Sequence, residues 1–122
     1  MRSFIILISI LIAAPAQAYR LGDGWNWKNS VAESVFAMEV GIDMGQTIYI
    51  SDHPEYREIN PLLHKHPSHA EAISACIIGA GVHALVSAAL PTKYRAWWQG
   101  TTIIIEGANI TRNKAIGIGL NF

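Results

Sequence analysis

Apolar residues fill three long stretches of this chain, and in each a sparse set of polar residues recurs at helical spacing. In the first, Glu39, Asp43 and Gln46 fall four and three residues apart with Thr47 beside them, so they share one face of a helix. In the second, His83 is the one ionisable group past the first turn, and Ser87 lies one turn further on. In the third, Thr102, Glu106, Asn109 and Asn113 follow at spacings of four, three and four. The pattern predicts an all-α fold of three helices, over residues 31–51, 69–90 and 93–112.

Local signals set the expected ends. Ser30 with Glu33, and Ser68 with Glu71, read as capping boxes opening the first two helices. Pro91 stops the second, and Thr92 can cap the third. In the connector, Asp52 with Glu55 reads as a further box, and Asn60 before Pro61 as the N-cap of one helical turn. Residues 116–122 alternate apolar with small or polar residues, as a strand would. A lone strand has nothing to pair with, so a short extended tail is expected.

Met1-Arg2, the apolar run over residues 4–14 and the small-x-small site Ala16-Gln17-Ala18 read as a cleavable secretory signal over residues 1–18. The mature chain, residues 19–122, is then a single exported domain. Without Arg2 its formal charge is about −1, so no basic field invites nucleic acid. Cys76 is the one cysteine, which excludes an internal disulfide and suits a small buried apolar residue. The second helix is the most apolar and carries Gly79-Ala80-Gly81, small residues that allow close helix approach in lipid. Lys93, Tyr94, Arg95, Trp97 and Trp98 at the start of the third suit a membrane–water interface, although tryptophans covering a soluble core give the same pattern. The expected architecture is a membrane-type bundle on the inner membrane, with a soluble periplasmic bundle as the alternative. Membrane lipid, a second copy of the chain or an envelope protein are the expected partners.

If the three stripes face inward, carboxylates and an imidazole meet at one level. Glu39, Asp43, His83 and Glu106 are then candidate ligands for a divalent metal, the one cofactor that the pattern suggests. The competing reading is a hydrogen-bonded polar core that registers the helices. Glu33 and Glu71 are assigned to their capping boxes and left out of the site. His53, His64, His66 and His69 crowd the connector, but without cysteine, and with Pro67 splitting the set, solvated histidines are the expectation rather than zinc ligands. No phosphate loop, nucleophile elbow or nucleophile–base pair is present.

Asp43-x-x-x-Thr47 followed by Glu58-x-Asn60-Pro61 resembles a family of small helical bacterial membrane proteins of unknown function. Gln46-Thr47, Asn60-Pro61 and His66-Pro67-Ser68 are similar to short exported proteins of proteobacteria and their phages. The resemblance spans residues 31–113 and implies a helical membrane-linked fold with Asp43 and Glu58 close together at one membrane face. It implies no activity, and the broader membrane family usually lacks a cleavable signal. Physically, Glu58 and Asn60 can fold back to bond the end of the first helix near Thr47. The polar-core and binding candidates are therefore Glu39, Asp43, Gln46, Thr47, Glu58, Asn60, His83, Glu106 and Asn109. A non-catalytic envelope or membrane protein, structural or partner-binding, is the leading expectation. A metal- or ion-binding membrane protein comes second, and a small envelope hydrolase last.

Overall fold

The structure is a computed structural model that describes residues 20–122, so the signal-peptide reading lies outside the described residues. Three helices make up the fold: α1 (Trp27–Asp52), α2 (His69–Ala89) and α3 (Thr92–Ala115), with no strand among the described residues. The all-helical expectation holds.

The first helix starts earlier than the Ser30 capping box predicts. Asn26 is the N-cap: its side chain accepts from the backbone of Lys28 and Asn29, and Asn29 returns a bond to the Asn26 N–H at 3.1 Å. Two overlapping boxes compete here, and the upstream one wins because Glu33 is engaged elsewhere. Ser30 instead accepts from the Trp25 indole at 2.9 Å. Ser68 does cap α2, bonding the Glu71 N–H at 3.2 Å. The Glu71 carboxylate does not complete the box, because it accepts from the His64 backbone and ring. At the third helix Thr92 is the first helical residue rather than the cap, and Pro91, which lacks an N–H, stands before it. This helix runs three residues past the predicted end, with Arg112 and Lys114 complementing its dipole and Gly117 at φ 93° turning the chain.

Helix α1 is the central element, packed against both others, while α2 and α3 touch least. Side-chain bonds join the starts of α1 and α3 (Asn29 to Gln99) and their ends (Gln46 to Asn113), so the two run parallel. His83, late in α2, meets Glu33, early in α1, so α2 runs antiparallel to them. The tail folds back along α1. The Asn121 N–H donates to the Gly45 carbonyl at 3.0 Å, and its amide to Asp52 at 2.7 Å. The Phe122 ring lies where a Gly45 side chain would stand, 2.9 Å from the position of a Cβ.

Polarity is inverted relative to an ordinary soluble bundle. Buried apolar side chains among the described residues are few: Ile48, Ile50, Pro67, Ala72 and Ile118. The buried polar set is larger and includes Gln46, Thr47, His83, Arg95, Gln99 and Asn113. Meanwhile Met38, Ile77, Ile78, Leu85, Trp97 and Ile104 point outward. Among the described residues α2 is the one helix long and apolar enough to cross a bilayer, and only 17% of its most apolar stretch is buried.

Candidate functional site

The polar interior is built in two layers. The first lies toward the α2–α3 corner, about 10 Å from that end at 1.5 Å per helical residue. Here the Asn29 amide donates to Gln99 Oε1 at 3.0 Å, and the Gln99 amide donates to Glu33 Oε1 at 2.9 Å. The other Glu33 oxygen accepts from His83 Nδ1 at 2.9 Å, because a carboxylate only accepts. His83 Nε2 meets Thr102 Oγ1 at 2.7 Å. The imidazole is 3% exposed and stacks between Phe36 at 3.6 Å and Trp98 at 5.1 Å. Every polar group of the ring is matched, and three helices are tied at one point.

Beneath this layer Arg95 is fully buried. Its Nε donates to the Ser87 carbonyl at 2.7 Å, and Nη2 donates to the carbonyls of Leu90 and Asp23. The end of α2 leaves carbonyls without intrahelical partners, and this guanidinium supplies their donors. It also lies over the Trp25 ring at 5.2 Å, fixing the lead-in segment.

The second layer lies toward the connector. Gln46 donates to the Ile110 carbonyl at 3.1 Å and accepts from the Asn113 amide at 3.0 Å. Thr47 donates to Glu58 Oε2 at 3.1 Å, and Glu58 Oε1 accepts from the backbone of Ile59 and Asn60. Asn60 in turn accepts from the Leu62 N–H at 3.0 Å, and its carbonyl accepts from the Leu63 N–H, so a hydrogen-bonded turn stands where one helical turn was expected. The expected fold-back of Glu58 onto the first helix is therefore present. It is a clasp in which both carboxylate oxygens are occupied.

Two adjoining clefts, of about 170 and 330 Å³, open beside the clasp. Both are lined by Asp43, Asn60 and Glu106. The larger adds Glu58, Asn109 and Asn113, and the smaller adds Cys76 among apolar neighbours. No lysine or arginine lines either. Glu106 faces the like charges of Asp43, Glu39 and Glu58. Neither Asp43 nor Glu106 takes a hydrogen bond from any described residue, and Glu39 Oε2 is buried without a partner.

The sequence candidates thus divide. Asp43, Glu58, Asn60, Glu106 and Asn109 come together around the larger cleft, with Thr47 on the smaller and Gln46 and Glu39 adjacent. His83 does not join them, so the expected set Glu39, Asp43, His83 and Glu106 is not assembled. The reason is height: Glu33, which His83 meets, precedes Asp43 by ten residues, about 15 Å along α1. Among the described residues no three His, Cys, Asp or Glu side chains stand together as metal ligands. The connector histidines also disperse. His64 pairs with Glu71, His69 with Asp52, and His53 stacks on Tyr49. The hydrogen bond from His69 holds the carboxyl of Asp52 below its ordinary pKa, and His64 bonds the Glu71 carboxylate.

Asn29, Glu33, Arg95 and Gln99 are absent from the sequence candidates. The signal for two of them is present: Arg95, Gln99, Thr102, Glu106, Asn109 and Asn113 form one unbroken four-and-three stripe. No family model, curated protein or solved structure matches this chain.

Proposed function

We propose that this chain is a non-catalytic, membrane-integral protein of the envelope, exported to the inner membrane, whose three helices all cross the bilayer. The observation that carries the reading is the inverted polarity. A bundle in water buries its large apolar side chains and shows its polar ones, whereas a bundle in lipid hides its polar groups and presents apolar surface. Away from their exposed ends, α1 and α3 hold their charged side chains, Glu33, Glu39, Asp43, Arg95 and Glu106, buried or half-buried, where intramembrane charges are tolerated. The resemblance at Asp43, Thr47, Glu58 and Asn60 agrees with this setting. In a cell expressing the full chain, the protein should resist a carbonate wash of the membranes and require detergent for release. Recovery in the soluble fraction would reject the reading and return the alternative of a periplasmic bundle.

A second reading rests on the larger cleft. It has an acidic wall, amide groups from Asn60, Asn109 and Asn113, and no basic side chain, so what it lacks is positive charge. A cation, either an ion keeping part of its water or the ammonium of a partner, fits this chemistry better than a dehydrated metal held by a closed ligand set. In detergent, the unfolding midpoint of the protein should rise on addition of calcium, potassium or a primary alkylammonium salt relative to choline, whose bulky quaternary nitrogen carries no N–H. The rise should vanish in Asp43→Asn with Glu106→Gln. An equal rise in that variant would mean the cation acts elsewhere.

A further inference from the structure

All four tryptophans of the chain, Trp25, Trp27, Trp97 and Trp98, sit at one end of the bundle. Trp25 lies in the lead-in segment, Trp27 opens α1, and the start of α3 supplies the others. Arg95 over Trp25 and the Asn29–Gln99 pair hold these segments side by side. Trp27, Tyr94 and Trp97 are 71%, 53% and 77% exposed. Two lysines lie over this aromatic set: Lys28 Nζ is 5.9 Å from the Trp27 ring and Lys93 Nζ 5.3 Å from the Tyr94 ring. Charge at this end is one-sided. Arg20, Lys28 and Lys93 are exposed against the single exposed carboxylate of Asp23. At the opposite end exposed Arg57, Lys65, Arg112 and Lys114 stand with exposed Asp52 and Glu55 and half-buried Glu58 and Glu71, and no tryptophan accompanies them.

We infer that this aromatic and basic collar seats the corner end of the bundle at the headgroup level of a leaflet containing anionic phospholipid. The inference rests on the membrane reading and adds to it a lipid class and a depth. Indole and phenol rings favour the zone where acyl chains meet headgroups, and ammonium groups just beyond them meet phosphate. A neutral zwitterionic surface satisfies the rings but gives the excess cations no net attraction, whereas an anionic one does. The length agrees: Lys93 and Arg112 on α3 are separated by about 28 Å of helix, close to the hydrocarbon thickness of about 30 Å.

The test uses the full chain reconstituted in vesicles of phosphatidylcholine and phosphatidylglycerol in equal parts. Bromine is carried by one lipid or the other, either near the headgroup end of the acyl chain or near its methyl end. Tryptophan emission reads the collar, and a fluorophore on Cys76 reads the middle of α2. Tryptophan quenching should be stronger from the shallow bromine, and about twofold stronger from brominated phosphatidylglycerol than from brominated phosphatidylcholine. That preference should fade with added salt and in Lys28→Gln with Lys93→Gln. Equal quenching by the two lipids, or stronger quenching from the deep bromine, overturns the inference. The Cys76 label separates the two failures. If it is quenched while the collar shows no preference, the chain is embedded and only the collar assignment falls. If it is not quenched by any lipid, the membrane reading falls and the collar with it.

Discussion

The Glu33–His83 pair makes the sharpest demand on the structure. Replacing His83 with leucine keeps most of the volume but removes its bonds to Glu33 and Thr102 and its stacking on Phe36 and Trp98. Interhelical bonds in lipid contribute about 0.6 kcal/mol each and at most about 1.7, and the stacking adds about 0.5–1.5. Leaving the Glu33 carboxylate without its histidine raises the loss for His83→Leu to about 3–5 kcal/mol. Glu33→Gln, which keeps the shape and discards the charge, should lose about 1–2 kcal/mol. The double variant strands nothing, so its loss should be about 2–3 kcal/mol, well below the sum of the singles. Unfolding in mixed micelles with increasing dodecyl sulfate, followed by tryptophan fluorescence, measures all three. Additivity to within about 0.5 kcal/mol would show that the pair is not coupled and refute the first layer as described.

Three further outcomes follow from other contacts. Arg95→Lys should lose about 3 kcal/mol, nearly as much as Arg95→Met, because one ammonium cannot reach the Ser87, Leu90 and Asp23 carbonyls together; full stability in the lysine variant, by the same unfolding assay, would contradict this. Gly45→Val should cost about 1–3 kcal/mol and expose the tail to carboxypeptidase, since its side chain meets the Phe122 ring and the Asn121 carbonyl; an unchanged digestion rate would place the tail elsewhere. Asp52 has a lowered pKa, so the stability it lends the connector through His69 is present above its ordinary value and is lost as pH falls through the depressed one. Hydrogen exchange across residues 53–68 should therefore stay slow to about pH 4 and accelerate below it, and acceleration starting well above that pH would assign the order to other groups.

The three helices were legible because apolar runs with four-and-three polar spacing admit little else, and Pro91 and Ser68 mark their ends chemically. The start of α1 was not. Asn26–Asn29 and Ser30–Glu33 are both good boxes, and the choice depends on Gln99 and His83, far away in the chain, claiming Glu33. The inward stripes were legible as well, but their heights were not. The level at which an antiparallel helix presents His83 is set by the length and folding of the connector, which no periodicity encodes. Hence the carboxylates expected to meet an imidazole meet one another instead. The Glu58 fold-back could be anticipated because Thr47 and Glu58 each need a partner, and the connector between them is short.

The two layers differ in how their polar groups are satisfied, and that difference separates structure from function in this molecule. In the first, the Glu33 carboxylate, both ring nitrogens of His83 and the Gln99 side chain have partners, and removing any member should weaken the fold. In the second, Thr47, Glu58 and Asn60 bind one another and the connector backbone, but the clasp they make holds open a cleft in which Asp43 and Glu106 take no hydrogen bond. Like charges facing one another across such a cleft oppose folding rather than assist it. Neutralising Asp43 with Asp43→Asn should accordingly leave stability unchanged or raise it by up to about 1 kcal/mol, the opposite sign to Glu33→Gln. A site whose removal stabilises its protein is retained for a reason other than folding. A measured loss for Asp43→Asn as large as that for Glu33→Gln would instead make the second layer a structural network like the first, and would remove the ground for a ligand there.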